Sequence, residues 1–296
     1  MKKAIYTIAS GKYEQIWSEF AAQSWRAFCS RNDYDLHCFN QPLDCSERAL
    51  NRSIAWQKLI AHESPELSGY DVLIWLDADF VINPLSPDPL AELEAGRVGG
   101  CYDFTWGDDV QTAFLAKNAL NEAKKLFAKS GIDFQSFQKL WGVNPSAGIL
   151  INTGFLIFRP SETGFILRYV YDNFDEKPSL WGEMVPLSEE LHRRSIFQLL
   201  DQRYNLIIWQ FVQAFVFDCG SKGLVKLMAM LLLYRLLNIG YFLHFASWKH
   251  AGMPLMAGAT WDEMNGFRPD SCHIATHVQE ALQDDLTLQL LVSSQN

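Results

Sequence analysis

The sequence predicts an α/β fold with a mixed, mainly parallel central sheet flanked by helices. The N-terminal part of the 296-residue chain alternates strand-like apolar runs with helical patterns in the order β-α-β-α-β. Strands joined through helices pair in parallel, because each right-handed crossover returns the chain to the same edge of the sheet. The third strand, 72–76, is a continuous apolar run, which is typical of a strand buried on both faces.

The individual elements follow from local patterns along the chain. Apolar residues at three- and four-residue spacing predict helices, and short apolar runs closed by turn residues predict strands. The predicted strands are 4–9, 34–39, 72–76, 97–102, 148–159 and 241–245. The predicted helices are 13–31, 49–62, 161–174 and 188–201, with a loop over 177–187.

Composition indicates a folded protein in one domain. Hydrophobic residues make up 49% of the chain, and 20 Phe with 10 Trp supply large packing surfaces. No linker, internal repeat or low-complexity tract divides the sequence. The net charge of −9 disfavours non-specific binding of nucleic acid.

Cysteine usage and the N-terminus predict a cytoplasmic protein. The 6 cysteines show no C-x-x-C spacing, which argues against a disulfide framework or a zinc site and for reduced thiols. The apolar stretch behind Lys2-Lys3 is too brief for a signal peptide. Segment 224–237 is shorter than the roughly 20 residues of a membrane span and contains Lys226 and Arg235. Core packing is favoured there, and peripheral membrane contact through 224–237 stays open as an alternative.

Two aspartates directly follow the buried third strand. Alternate residues of a strand point the same way, so we expect Asp77 and Asp79 to project together and Ala78 to face the opposite side. Ionised groups at a buried strand end need compensation, because desolvating each costs several kcal/mol. Two oxygen donors at the end of a central strand suit a divalent cation, Mn²⁺ or Mg²⁺. The alternative is a pair of solvated acids in an ordinary turn.

Asn152-Thr153-Gly154 interrupts the apolar strand 148–159. Glycine inside a strand marks either a bulge or a place where a ligand approaches the backbone closely. The sequence alone leaves both interpretations open.

Five motifs together resemble a known family. In chain order they are Thr7-Ile8-Ala9, Trp56-Gln57-Lys58-Leu59, Trp75-Leu76-Asp77-Ala78-Asp79, Asn152-Thr153-Gly154 and His244-Phe245-Ala246-Ser247-Trp248-Lys249. Their order and spacing resemble the GT-A glycosyltransferases, most closely the retaining group that includes plant xyloglucan xylosyltransferases and fungal Golgi galactosyltransferases. A second likeness is to glycogenin-like transferases.

The resemblance implies a single GT-A domain with a metal-dependent transferase activity. It implies a nucleotide-binding half over 1–110, a sugar and acceptor half over 111–250 and a C-terminal extension over 251–296. The implied reaction moves a hexose or pentose from a nucleotide-diphosphate sugar, with a UDP-sugar favoured, to a glycan or other hydroxyl acceptor. Retention of the sugar's configuration is implied by the same likeness.

The resemblance also implies roles for individual residues. Asp77 and Asp79 match the metal-binding D-x-D motif, and His244 matches the histidine that completes the metal site, with His250 as a rival. A histidine after an apolar strand is otherwise more often a hydrogen-bonded core residue. The positions matching donor-binding residues are Thr7, Ile8, Ala9, Lys58, Asn152, Gly154 and Lys249.

Two departures from the family pattern affect the expected site. Ser247 stands where the family usually has glycine, which implies a differently shaped diphosphate loop. The acidic-Gln motif has no clean copy, and Glu189-Glu190 and Asp201-Gln202 are its rival candidates. We predict Glu189 or Glu190 as the catalytic acid, with plain capping of a helix start as the alternative.

Two other function classes compete with a transferase. In a phosphatase, Asp77 would be the nucleophile and Asp79 the acid. The haloacid dehalogenase-like pattern has Thr or Gly soon after the second Asp, where this chain has Phe80-Val81. The other competitor is a non-catalytic protein that keeps the metal and nucleotide sites without turnover.

Overall fold

A six-stranded sheet is the centre of the fold in the computed structural model of this chain. The structure describes residues 1–103, 150–176, 182–208, 236, 240–246 and 253, together with the backbone of 259–262 and 266–269. The strands of this sheet are β1 (Lys3–Ile8), β2 (Asp35–Phe39), β3 (Val72–Leu76), β5 (Val98–Tyr102), β6 (Ile151–Phe158) and β7 (Phe197–Leu199). Their spatial order is β2-β1-β3-β6-β5-β7.

The pairing within this sheet is mixed and mainly parallel, as the sequence predicts. Strand β1 pairs in parallel with β2 and β3, and β5 pairs in parallel with β7. Strand β6 is antiparallel to both β3 and β5. The ends of β1, β3 and β5 and the start of β6 therefore lie at one edge of the sheet.

The chain that follows β3 enters a second, three-stranded sheet. Strand β4 (Phe80–Ile82) pairs antiparallel with β9 (Phe242–His244), which pairs in parallel with β8 (Leu206–Ile207). A separate antiparallel pair joins β10 (Ala259–Asp262) and β11 (Gly266–Pro269). The three-stranded sheet brings the distant segment 242–244 next to the residues that follow β3.

Helices cover both faces of the six-stranded sheet. On one face, α1 (Lys12–Ile16), a π-helical turn (Trp17–Ala21) and α2 (Ala22–Asn32) pack Trp25 and Phe28 against the strands. On the other face, α4 (Pro160–Asn173) and α5 (Met184–Arg193) contribute Leu167 and Leu191 to a second core. Because both faces are covered, all five residues of β3 are buried.

The predicted helix 49–62 is wrong. The structure instead has the short α3 (Glu47–Leu50) and two 3₁₀ turns, Ile54–Leu59 and Ala61–Glu63. The Arg52 guanidinium donates to the carbonyls of Tyr171 and Phe174, and the Ser53 amide donates to Glu176. These tertiary contacts end α3 and start a new turn, so they override the local helical pattern.

The predicted helix 188–201 is also wrong at both ends. Helix α5 begins at Met184, inside the predicted loop 177–187, and ends at Arg193. Ser188 does not cap it, because its hydroxyl donates to the Met184 carbonyl one turn earlier. Ser195 has a φ of 55°, and the chain then pairs with β5 as β7.

Several residues to which the sequence assigns a role lie outside the described ranges. Apart from Leu236, segment 224–237 is one of these, and so are Ser247, Trp248, Lys249 and His250. Within the described part of the chain, no helix combines the length and the apolar character that crossing a bilayer requires. The cysteines described, Cys29, Cys38, Cys45 and Cys101, are free thiols.

Candidate metal centre

Asp77 and Asp79 lie in a turn between β3 and β4. The Phe80 amide donates to the Asp77 carbonyl at 3.2 Å and closes this turn. The expected continuation of the strand pleat is therefore wrong, and the turn sets the direction of both carboxylates. Asp79 is buried, whereas the Asp77 side chain is 34% exposed. One carboxylate is thus held within the protein and the other is accessible to a ligand.

His244 reaches these aspartates through the small sheet. It is paired with Phe80 in the β4–β9 register, and its ring stacks on the Phe80 ring at 4.2 Å between centroids. The Phe245 amide also donates to the Asp79 carbonyl at 2.9 Å. As a result, Nε2 of His244 lies 3.4 Å from Oδ1 of Asp79 and 3.7 Å from Oδ2 of Asp77.

The three side chains have the geometry of a ligand set for a divalent cation. One ligand atom from each of Asp77, Asp79 and His244 lies within 4.8 Å of the others, and the described residues contain this one group of the kind. An octahedral ion about 2.1 Å from its ligands separates neighbouring ligands by about 3.0 Å and opposite ligands by about 4.2 Å. The imidazole–carboxylate distances fall in that interval. Two carboxylates and an imidazole therefore fit such an ion.

Gly154 makes room for the imidazole. The β5–β6 pairing moves from Gly100↔Leu156 to Cys101↔Asn152, so Gly154 lies in a bulge of β6. Its carbonyl accepts from the Asp77 amide at 2.9 Å, and a Cβ at this position would lie 2.5 Å from Cε1 of His244. The group that approaches the backbone of Gly154 closely is therefore the His244 ring of the protein itself.

A buried lysine lies against Asp77. Nζ of Lys58, whose side chain is 2% exposed, is 3.2 Å from Oδ1 of Asp77 and 2.7 Å from Oε1 of Glu183. Burial lowers the pKa of this ammonium, but the charges of Asp77 and Glu183 outweigh that effect, so the pKa is raised above its usual value. Trp75 supplies a further donor, its indole N–H, to the same Asp77 oxygen at 3.1 Å.

Glu183 is a residue that the sequence reasoning missed. It directly precedes α5, it is 3% exposed, and its carboxylate accepts from the Thr153 hydroxyl at 2.8 Å. Lys58 also donates to the Thr153 carbonyl at 3.1 Å. A correct placement of the start of α5 would have put Glu183 at a helix N-terminus, which is the one local signal for it.

The remaining residues predicted to bind the donor are not all in the described part of the chain. Thr7, Ile8 and Ala9 are buried at the end of β1, beside the end of β3, because Tyr6 pairs with Trp75. Asn152 is buried at the start of β6. Lys249 lies outside the described residues.

Glu190 is held by arginines. Its carboxylate lies 2.6 Å from Arg193 and 2.9 Å from Arg194 in the last turn of α5. Burial raises the pKa of Glu190, but hydrogen bonds from both arginines outweigh it, so the pKa is lowered. At 1.5 Å per residue, Glu190 is about 10 Å along the helix from Glu183. Catalytic roles for Glu189 and Glu190 stay predictions.

Three solved glycosyltransferases are similar to this chain. The galactosyltransferase LgtC, solved with donor and acceptor sugar analogs, superposes with a TM-score of 0.50 over 88% of this chain and 98% of its own, at 13% identity. A glycosyltransferase involved in glycosylation of the major capsid of PBCV-1 gives 0.49 over 86% and 99%, at 15% identity. GlyE of Streptococcus pneumoniae TIGR4 gives 0.45 over 94% and 63%, at 14% identity.

The likeness to LgtC confirms the predicted GT-A fold class, and at 13% identity it shows the fold alone. No protein-family profile and no curated protein sequence matches this chain. The finer likeness to xyloglucan xylosyltransferases and glycogenins stays a prediction.

Proposed function

We propose that this protein is a metal-dependent glycosyltransferase that uses a nucleotide-diphosphate sugar as donor. The observation that carries the proposal is the Asp77, Asp79 and His244 cluster at the strand-end edge of a GT-A fold. LgtC, which has the same fold, was solved with donor and acceptor sugar analogs bound. Ligands of open α/β sheets bind at this edge.

Asp77, Asp79 and His244 are proposed to hold Mn²⁺ or Mg²⁺, with Mn²⁺ favoured because one ligand is an imidazole. Such an ion, when bound, neutralises the negative charge that develops on the departing diphosphate. The exposed part of Asp77 leaves the ion's position open to a donor. Buried Asp79 and stacked His244 supply fixed ligands that need no rearrangement.

Lys58 is proposed to add positive charge beside the diphosphate. Its raised pKa keeps it protonated, and Glu183 and the Thr153 carbonyl fix its ammonium next to Asp77. Lys249 is proposed for the same task on sequence resemblance. Glu183 therefore acts on the donor site through Lys58, as a positioning residue.

The remaining assignments rest on the resemblance. Thr7 to Ala9 are proposed to hold the nucleotide base; their side chains are buried, so the contact would be made by backbone groups. Asn152 and Gly154 are proposed to line the sugar side. A UDP-linked hexose or pentose is the proposed donor, a glycan or other hydroxyl compound the acceptor, and retention the stereochemical outcome.

A thermal-shift screen tests the proposal. Nucleotide-sugars should raise the melting temperature only when Mn²⁺ or Mg²⁺ is present, because a ligand that binds only the native state stabilises it by about 2.7 kcal/mol at 100 times its Kd. Asp79→Asn should abolish this metal-dependent shift while leaving the melting temperature of the free protein close to that of the wild type.

Asp71→Asn is the matched control, because Asp71 accepts from the Lys2 amide at the opposite edge of the sheet and should leave the shift unchanged. A shift that persists in Asp79→Asn would refute the site. Release of phosphate from simple phosphomonoesters, without any nucleotide-sugar, would favour the phosphatase alternative instead.

A further inference from the structure

We propose that Asn205 and Asn152 are positioning residues that fix the ring proton of His244 on Nδ1 and leave Nε2 free to bind the metal ion. The inference rests on the proposed function in one respect, namely that His244 is a metal ligand. It assigns Asn152 a role in orienting the metal site, in addition to the predicted contact with the donor.

The backbone amide of Gly154 has a fixed hydrogen-bonding role. The N–H of Gly154 can only donate, and it lies 3.0 Å from the side chain of Asn152, so the atom it meets is the amide oxygen Oδ1. The same oxygen lies 2.9 Å from the side-chain amide of Asn205. Because Oδ1 only accepts, the Asn205 atom facing it is the NH₂ group.

The orientation of Asn205 then determines the tautomer of His244. With its NH₂ group directed at Asn152, Asn205 presents its oxygen to Nδ1 of His244 at 3.0 Å. An amide oxygen cannot donate, so Nδ1 must carry the proton. In a neutral imidazole the other nitrogen, Nε2, then has a free lone pair. That lone pair points at the carboxylates of Asp77 and Asp79.

Burial of the three side chains favours these protein–protein hydrogen bonds over hydrogen bonds to water. Asn205 is 0% exposed, Asn152 5% and His244 3%, so water does not readily replace any of the three contacts. The NH₂ group of Asn152 faces Asp103, 3.4 Å away, which is a further reason for its amide to keep this orientation. Metal-binding histidines are commonly oriented in this way by an acceptor on the ring nitrogen that does not bind the ion.

The hydrogen-bonded series Asn152–Asn205–His244, called the relay below, joins three separate parts of the chain. Asn152 comes from the start of β6, Asn205 from the 3₁₀ turn (Gln202–Asn205) ahead of β8, and His244 from the end of β9. The β8–β9 pairing places Ile207 opposite His244 and so holds the turn close to the ring. The relay therefore links the six-stranded sheet to the three-stranded sheet at the metal centre.

The test reads the ring proton directly, by long-range ¹H–¹⁵N correlation spectra of the metal-free protein at a pH where the ring is neutral. The His244 signals are identified by their loss in His244→Gln. The wild type should show the proton on Nδ1. Asn205→Leu removes the acceptor, so the proton should move to Nε2, where the aspartates accept it, and Mn²⁺ affinity measured by titration calorimetry should fall about 10- to 100-fold.

Asn205→Asp distinguishes the hydrogen bond from a packing effect. Its carboxylate still accepts from Nδ1, so the tautomer should stay as in the wild type. The NH₂ group that donates to Asn152 is lost in this variant, so the tautomer alone is its readout. Asn32→Leu is the control for loss of an asparagine elsewhere. The Asn32 side chain donates to the Phe28 carbonyl, and its backbone carbonyl accepts from Lys3, at the opposite edge of the sheet, so neither readout should change.

A wild-type spectrum with the proton on Nε2 would overturn the proposal, as would Asn205→Leu with both tautomer and Mn²⁺ affinity unchanged. If Asn205→Leu does not fold, the spectra of the wild type and of Asn205→Asp still show which ring nitrogen of His244 carries the proton. If the wild type binds neither Mn²⁺ nor Mg²⁺, the proposed function fails, while the spectra of the metal-free protein still decide whether the relay exists.

Discussion

Gly154 has its effect through the side chain it lacks. A Cβ there would lie 2.5 Å from Cε1 of His244, closer than two carbon atoms approach without a shift of one of them. The imidazole is confined by its stacking on Phe80 and its contact with Asn205, so it cannot move aside freely. The position of the third ligand thus depends on a glycine in a neighbouring strand.

We expect Gly154→Ala to displace His244 and to lower Mn²⁺ affinity about tenfold or more, as loss of ligand-orienting contacts does. Overpacking should also cost about 1–3 kcal/mol of unfolding free energy. Titration calorimetry and urea unfolding measure the two effects.

Two other glycines provide matched controls for this prediction. Gly69→Ala adds a methyl group to open space and should change neither quantity. Gly164→Ala brings a methyl group 2.8 Å from His62, so it should lower stability and leave Mn²⁺ affinity intact. An undiminished affinity in Gly154→Ala would show that His244 is not a ligand.

The sequence revealed some of these residues and not others. The apolar run that ends at Asp77 made the two aspartates visible, since charged residues rarely follow a buried strand without a reason. His244 was found only by resemblance, because a histidine after an apolar strand is usually a core residue. Asn205 carries no local signal, and the one local signal for Glu183, its position directly before α5, was hidden because the start of that helix was misplaced. Their importance comes from contacts with residues far away in the chain.

At the scale of elements, the errors in helix assignment have a common cause. The segment carrying Lys58 was predicted as part of one helix but forms separate 3₁₀ turns, held by Arg52 and Glu176. Strand β7 was predicted as helix but pairs with β5. In both cases local periodicity was outweighed by tertiary hydrogen bonds, which a single sequence does not display.

The ion pairs of Glu190 at the end of α5 can be tested for their contribution to stability. If its carboxylate stabilises the last turn through Arg193 and Arg194, Glu190→Gln should lower the unfolding free energy by about 1 kcal/mol, since both arginines are partly exposed. Because the pKa of Glu190 is lowered in the folded protein, its contribution is present above the usual pKa of 4.5 and is lost as the pH falls through the folded value.

Urea unfolding at neutral and acidic pH measures this contribution, with the exposed Glu66→Gln as control. Donor turnover in Glu190→Gln separates this structural role, under which turnover is retained, from the predicted catalytic role, under which it is lost. Unchanged stability together with lost turnover would contradict the structural role and support the catalytic one.

At the scale of the whole molecule, the fold gathers the site from separate parts of the chain. Parallel pairing places the ends of β1 and β3 at one edge, the β6 bulge joins them there, and the small sheet adds His244. The order of strand and helix patterns predicted this sheet, and the LgtC superposition confirms its class. The pairing of β4 with β9 could not be predicted, because the two strands are far apart in sequence and each has only three residues.

The proposed function is tested most directly by release of nucleoside diphosphate from a panel of UDP-sugars incubated with the protein, Mn²⁺ and a panel of glycans, so that a glycan hydroxyl or water accepts the glycosyl group. A metal-dependent transferase should release nucleoside diphosphate only with the metal present, should stop on chelation and should be inactive as Asp79→Asn. Release that continues after chelation or in Asp79→Asn, or metal-dependent donor binding with no release from any donor, would contradict a metal-dependent transferase.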